Sequence, residues 1–577
     1  MSAPHNHKFI IYQLLVRHFG NTNTKNKFFG SLSENGSGKF NQISDKALQS
    51  IREFGATHIW YTGILEHATM TDYSLFGIAQ DHPMIVKGKA GSPYAVKDYY
   101  DVDPDLAENV TMRMEEFEAL LHRTRSQKLK SIIDFIPNHV ARQYRSDKRP
   151  EGVSDFGEQD RTDLAFSPDN NFYYIPNEPF QVPEGLSTPL KVKHEYVEFP
   201  AKATGNDVFR ADPTVYDWYE TVKLNYGVDY LDNRKTHFDP IPDTWLKMRD
   251  ILLFWTRKGV DGFRCDMAEM VPVEFWGWVI PLVKNENPEL IFIAEIYNPN
   301  EYRRYLSDGK FDYLYDKVGL YDTMRRLVEG GGNADDITRL WQQETGEIAP
   351  NMLRFLENHD EQRIASRYFA GNPFSALPAM AMSATLHTGP VMIYSGQELG
   401  VAANDAEGYQ GDDGRTSIFD YWGIPELQAW TRGGKFNENN LSDKQRILRK
   451  FYADLNHLIV ANEAFHSGAF YDLQYVNFHG QSTGYDSTRI FSFLRYTSRQ
   501  KVLAVFNFDH QSEFITHVRI PEPVWVETLG LDTDRNYELA GIFGNPAGDI
   551  NFRFDESPGG IPVSLPPGAF RIWQIMD

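Results

Sequence analysis

Cysteine is almost absent from the chain: Cys265 is the only one in 577 residues. That forbids an internal disulfide, and with it every small scaffold stapled by bridges. Positive charge is also scarce, with 58 Lys and Arg against 79 Asp and Glu and a net charge of −21. Such a balance repels phosphate backbones and anionic lipid surfaces, so neither nucleic acid nor a membrane is an expected partner. No uninterrupted apolar run approaches the about 18 residues that would cross a bilayer. There is no internal repeat and no low-complexity tract, and the longest glycine run, 330–332, lacks the preceding strand and the spacing of a phosphate loop. The opening segment, MSAPHNHKFIIYQLLVRHF, has no positively charged region ahead of its short apolar run. It reads as a strand rather than a signal peptide, which sets a cytoplasmic location as the expectation. His5 and His7 read as solvated residues on a polar terminus.

What is present is globular: 41% hydrophobic, 24% charged and 14% aromatic residues. Short apolar runs of strand length recur at 9–15, 57–61, 130–135, 262–265, 290–294, 311–315, 352–356 and 391–394. Each is followed by a segment of helical period, the alternation of parallel βα units. Eight such runs predict a closed (β/α)8 barrel of the α/β class. Well over 100 residues separate the third run from the fourth, where a βα unit needs only about 30. The intervening segment is rich in Pro, Asn, Asp and aromatics and has little helical period, as in SPDNNFYYIPNEPFQVPEG. An irregular lobe is therefore expected on the loop after strand 3. Beyond Gly434 a helical stretch (442–460) gives way to alternating segments such as RIFSFLRY and KVLAVFNF, which predict a separate antiparallel domain. The expected boundaries are 1–140 and 236–465 for the barrel, 141–235 for the lobe and 466–577 for a β-sandwich.

In a parallel barrel the working residues come from the C-terminal ends of the strands. Four ends carry carboxylates: Asp134-Phe-Ile-Pro-Asn138-His139, Gly262-Phe-Arg264-Cys-Asp266, Ala294-Glu295 and Glu357-Asn358-His359-Asp360. One carboxylate at a strand end is accounted for by capping the helix that follows. Side chains alternate along a strand, so Arg264 and Asp266 face the same way and the guanidinium favours an ionised carboxylate. Asp266 is then the natural nucleophile. A retaining glycosidase needs a second carboxyl group about 5 Å away that starts protonated. Glu295 fits, its pKa raised by burial and by the charges of Asp266 and Asp360. Asp360 would stabilise a positive transition state, and His139 and His359 would hydrogen-bond sugar hydroxyls. Two histidines among carboxylates also suit a metal hydrolase, although the His-x-His or His-Glu-x-x-His spacing is missing. Cys265 faces opposite to Asp266 and reads as packing.

The segments DFIPNH, GFRCD, IAEIY and ENHD resemble, in order, the four signature regions of the α-amylase family, glycoside hydrolase family 13. IYQLLVRHF, GATHIWYTGI and VMIYSGQELG are similar to its first, second and eighth strands, and GDDGRTSIFDYW to the loop beyond. The resemblance implies a (β/α)8 catalytic barrel, a lobe after strand 3 and a C-terminal β-sandwich. It makes Asp266 the nucleophile, Glu295 the general acid/base and Asp360 the transition-state stabiliser. Arg264, His139 and His359 fall on subsite-binding positions. Tyr94, in SPYAVKDYYDV, resembles the family tyrosine stacked under the sugar at the cleavage point, with Asp98 behind it. The implied activity is retaining hydrolysis of α-glucosidic bonds in maltooligosaccharides or related glucans. The alternatives are an amylomaltase-like or sucrose-active transferase, and a non-catalytic carbohydrate-binding member.

Two departures from the family pattern stand out. Glu269 and Met270 replace a Lys-His pair that many amylases carry on the leaving-group side, so different acceptor subsites are expected. In YETVKLNYG, Lys223 replaces a calcium-ligating aspartate, while Asn138 keeps one family calcium position. An ammonium cannot ligate a cation and repels it. No cofactor, and no calcium in particular, is expected to be required.

Overall fold

The computed structural model describes residues 8–186, 192, 194–478, 484–544 and 548–576; His5 and His7 lie outside them. Eight parallel strands form the barrel: β1 (Ile10–Leu15), β2 (His58–Thr62), β3 (Lys130–Phe135), β4 (Gly262–Cys265), β5 (Ile291–Ala294), β6 (Tyr313–Tyr315), β7 (Met352–Leu353) and β8 (Val391–Tyr394). Their order is β7-β6-β5-β4-β3-β2-β1-β8. A parallel bridge between Arg354 and Val391 closes the ring, with Met392 N donating to the Arg354 carbonyl (2.8 Å). Helices cover the outer faces of these strands, so β1, β2, β4, β5 and β8 are buried along their whole lengths. Burial on both faces is why they read as continuous apolar runs rather than alternating ones. The seventh strand is shorter than its apolar run. Phe355 and Leu356 stay in the core, 1% and 0% exposed, as packed side chains after the ladder has ended.

Register carries the chemistry from strand to strand. Arg264 lies beside Asp134 in the β3–β4 pairing, and Cys265 lies beside Ala294, the residue before Glu295, in β4–β5. The lobe is entered and left through one antiparallel ladder, His139–Ala141 with Thr221–Lys223, so its two ends leave the barrel together at the end of β3. Within it, Tyr174–Ile175 pairs with Ala201–Lys202, and just beyond the exit Val228–Asp229 pairs with Lys235–Thr236. After β2 the chain makes a second excursion, a hairpin of Leu65–His67 against Val96–Val102.

The helix Asp443–Ala461 closes the barrel region. Ser442 opens it with a capping box, its Oγ accepting from Gln445 N (3.3 Å) while Gln445 Oε1 accepts from Ser442 N (2.9 Å). The C-terminal domain has a six-stranded antiparallel sheet of β9 (Ala469–Asp472), β10 (Ile490–Tyr496), β11 (Lys501–Asn507), β13 (Asn536–Gly544), β14 (Ile550–Arg553) and β16 (Phe570–Met576). A two-stranded sheet of β12 (Phe514–Val518) and β15 (Ile561–Leu565) packs with it. The sheet is apolar on both faces, and alternation divides its side chains. Phe491, Phe493, Val502, Ala504, Phe506 and Ile572 join the barrel's core. Ile490, Leu494, Leu503, Val505, Trp573 and Ile575 form the domain's own. The domain is thus docked through an apolar face rather than tethered. Among the described residues, no helix is long and apolar enough to cross a membrane.

Candidate active site

At the C-terminal rim, Arg264 organises the carboxylates. It is 1% exposed, its Nη1 donates to Asp266 Oδ1 (2.8 Å) and sits 3.5 Å from Asp134 Oδ1, and its Nη2 is 2.8 Å from Glu295 Oε1. Nε donates to Tyr315 Oη (3.1 Å). The guanidinium carbon is 5.2 Å from the Trp60 ring centroid, 5.4 Å from Tyr315 and 5.5 Å from Tyr94. A charge-assisted fork in an aromatic cage holds its partners to a fixed geometry. Asp134 is itself fixed by Trp60 Nε1 (3.0 Å) and Gly63 N (3.3 Å).

Glu295 is 2% exposed, ion-paired to Arg264, and receives two hydrogen bonds. Met267 N donates to Oε2 (2.8 Å) and Tyr297 Oη to Oε1 (2.6 Å). Met267 has φ 43°, a left-handed turn just past Asp266 that an L side chain rarely adopts. That turn brings its amide to Glu295. Burial pushes the Glu295 carboxyl up, Arg264 opposes, and the charges of Asp266 and Asp360 add to the rise, leaving it at about 7. Asp266 also moves upward. The arginine beside it holds its pKa down as the alternation predicts, but burial is the larger effect, with Asp360 and Asp134 adding to it. The net direction is therefore opposite to the one argued from Arg264 alone.

His359 joins the opposite wall. Its Nδ1 accepts from Gln13 Nε2 (2.8 Å), and its Nε2 lies 2.5 Å from Tyr94 Oη and 3.0 Å from Asp360 Oδ2. The Tyr94 and His359 rings stack at 5.1 Å with 19° between planes. The Asp360 side chain is 42% exposed, the most open of the three carboxylates. Burial would raise its pKa, but His359, Arg264 and Arg415 outweigh that and hold it below the usual range. His139 lies at the lobe's edge, its ring bonded to the Tyr94 backbone and 5.2 Å from Trp218. Burial keeps it neutral, pushed down to about 4.

Asp98 is placed elsewhere. It is 0% exposed, its Oδ1 accepts from Tyr100 N (2.7 Å), and its Oδ2 accepts from Asp147 N (2.8 Å) and Lys148 N (3.0 Å). With its lone pairs committed to backbone amides, it anchors the lobe's first turn instead of presenting a carboxylate to sugar. Asp266, Glu295, Asp360, Arg264, His359 and Tyr94 are brought together, and His139 borders them. Five further members were missed as site residues: Asp134, Gln13, Trp60, Tyr315 and Tyr297. Gln13, a polar residue inside an apolar strand, and Tyr297, two residues past Glu295, carried signals; Trp60 and Tyr315 read as core aromatics.

Asn138, the calcium position that the resemblance implies, has Lys223 beside it. Lys223 is 2% exposed, its Nζ donates to Asn138 Oδ1 (2.5 Å), and it pairs with Asp207 (2.7 Å). An ammonium already occupies the space beside the one retained ligand. Lys223 also reaches the Met270 carbonyl (3.4 Å), tying the lobe to the loop after β4. On that loop Glu269 is half-buried, accepts from Asn298 N (3.1 Å), and is raised by burial and by Glu295.

The family described as "Alpha amylase, catalytic domain" matches residues 13–447. Alpha-amylase 3 of Dictyoglomus thermophilum is 24% identical over 358 residues, 58% of this chain and 60% of that one. An alpha-1,4-glucan:maltose-1-phosphate maltosyltransferase of Cereibacter sphaeroides is 31% identical over 126 residues, 21% of each chain. The chain thus spans less than two thirds of the length of these curated relatives. Among solved structures, the α-amylase from Geobacillus thermoleovorans, complexed with acarbose, superposes with a TM-score of 0.62 at 15% identity, covering 100% of both chains. That likeness is one of fold.

Proposed function

The chain belongs to the α-amylase family of glucan-active enzymes, and from that premise we propose that it is a retaining glycosidase hydrolysing α-glucosidic bonds of maltooligosaccharides. One observation carries the reading: Asp266 and Glu295 are each ion-paired to a terminal nitrogen of one guanidinium, at 2.8 Å. Sharing one guanidinium favours the close spacing of a retaining pair, about 5–5.5 Å, over the wider gap that admits a water. Asp266 attacks the anomeric carbon while Glu295, raised to about 7, gives its proton to the leaving oxygen. The glycosyl-enzyme is then released by water that Glu295, now a base, activates. Asp360, held ionised by His359, faces the positive charge developing at the sugar ring. Tyr94 offers its ring to the apolar face of the sugar, with His359 behind it.

The seam between barrel and lobe needs no calcium at Asn138 in this reading, because Lys223 supplies the positive charge there. Transfer to a sugar acceptor is the second reading, favoured by Glu269 on the leaving-group side. The test is an NMR time course on maltoheptaose that follows product size and the anomer released first. Shorter products appearing as the α-anomer support retaining hydrolysis, and products longer than the substrate move the reaction to transfer. First release of the β-anomer overturns the retaining assignment.

A further inference from the structure

The two sides of the cleft are built differently. Glu295 marks the side from which the leaving sugar departs, and there Asn298 is exposed and Glu269 only half-buried. A sugar held over Tyr94 has its non-reducing end on the opposite side. In the closed ring β1 lies across from β5, so that end points toward the loops that follow β8, β1 and β2 at the working rim.

Those loops meet the lobe there as a wall. Tyr219 on the lobe, 2% exposed, places its Oη 3.4 Å from Oη of Tyr409, on the loop after β8. Lys87, between the two strands of the hairpin after β2, pairs with Glu220 (2.9 Å) and lies 5.2 Å from the centre of the Tyr219 ring. Phe29, Met70 and Val86 close in from the loops after β1 and β2. The space they share with the two tyrosines is a cavity of about 10 Å³, the limit for one water and far too small for a glucose unit. The wall begins at the catalytic sugar: Glu220 and Lys87 face His139, and Arg415, on the Tyr409 loop, faces Asp360. It is also held in place. Tyr409 N donates to Asp420 Oδ2 (2.7 Å), its ring packs 5.4 Å from Phe419, and the Phe419 carbonyl accepts from Ala90 N (3.0 Å). Gly88, at φ 67°, permits this close approach of two backbones, since a Cβ there would sit 2.3 Å from the Phe419 carbonyl oxygen.

We propose that Tyr219 and Tyr409 close the cleft beyond the sugar bound at Tyr94 and make the enzyme exo-acting, so that it enters an α-glucan only at the non-reducing end and releases glucose or maltose. The proposal rests on the glycosidase reading above and adds to it the direction of attack and the length of the product. The interior of a chain would have to pass through the wall, whereas a free end stops against it. The rest of the glucan then leaves over Glu269 and Asn298. A linear chain offers one such end whatever its length, so short maltooligosaccharides are better substrates by weight than long chains.

The test compares two p-nitrophenyl maltoheptaosides, one with a free non-reducing end and one with that end blocked by a 4,6-ethylidene group, and sizes the products by chromatography. The wild type is expected to shorten the free substrate stepwise, with glucose or maltose as the sole early sugar product, and to cleave the blocked one at least a hundredfold more slowly. Tyr409→Ala should raise cleavage of the blocked substrate at least tenfold and release longer oligosaccharides from the free one, with thermal unfolding used to check its fold. The wild-type comparison needs no variant, so it decides the proposal even where Tyr409→Ala misfolds. Equal cleavage of the two substrates by the wild type, or a spread of early product lengths, overturns the proposal and leaves the glycosidase reading intact. A folded Tyr409→Ala that still rejects the blocked chain overturns the part given to the wall. Cleavage of neither substrate refutes the glycosidase reading, and the proposal with it.

Discussion

Removing one hydroxyl beside the acid should shift the pH profile in a calculable direction. Tyr297 Oη donates to Glu295 Oε1 at 2.6 Å, and a donor aimed at a carboxylate stabilises its ionised form, holding the pKa down. Tyr297→Phe deletes that donor while Arg264 and the Met267 amide keep the carboxyl in place. A hydrogen bond to a charged group is worth about 1.5–3 kcal/mol, and one pKa unit corresponds to about 1.4 kcal/mol. Tyr297 is only partly buried, so water replaces some of the loss, and the lower end, about one unit, is the expected rise. In kcat/KM the basic limb reports deprotonation of the acid in the free enzyme. It should move from about 7 to about 8. At pH 8 the protonated fraction then grows from about a tenth to about a half, a roughly fivefold faster reaction relative to each enzyme's own plateau. The assay is kcat/KM on maltoheptaose from pH 5 to 9. A basic limb that stays put, or moves down, refutes the role given to Tyr297 and, with it, the titration of Glu295 on that limb.

Two further outcomes follow from the same geometry. Glu295→Gln should nearly abolish cleavage of maltooligosaccharides yet spare the first step on aryl maltosides with activated leaving groups, which need no proton; a pre-steady-state burst of aryl alcohol checks it, and equal loss on both substrates contradicts the acid role. Lys223→Met leaves Asn138 Oδ1 and the part-exposed Asp207 without their ammonium, so denaturant unfolding should show a loss of about 1–3 kcal/mol, and unchanged stability would remove the lysine's part in joining lobe to barrel.

The barrel was legible because strands covered on both faces need apolar residues at every position, and those runs have nothing else to be. Catalytic candidates were legible where a carboxylate interrupts such a run at its end, as at Asp266 and Glu295. Partnership was harder. Gln13 on β1 meets His359 past the end of β7 across the closure of the ring at β8, and no local pattern announces a contact between residues that distant in sequence. Trp60 and Tyr315 satisfy a core pattern and a site at once, since the same rings that fill the barrel mouth also cage Arg264. Asp98 misled because it follows Tyr94 closely in sequence; four residues of strand were enough to turn it to the amides of Tyr100, Asp147 and Lys148. The sign of the Asp266 shift escaped for a related reason: Arg264 is visible two residues away, whereas burial is a property of the assembled rim.

The covalent intermediate is the central claim, and it can be trapped. Incubation with a fluorinated maltosyl fluoride, which slows release of the glycosyl-enzyme more than its formation, followed by proteolysis and mass spectrometry, identifies the residue that carries the sugar. The expected result is a glycosylated peptide containing Asp266, absent from an Asp266→Asn variant that unfolds at no lower temperature than the wild type. A label on Glu295 or Asp360, or full turnover by the Asp266→Asn variant, would contradict it.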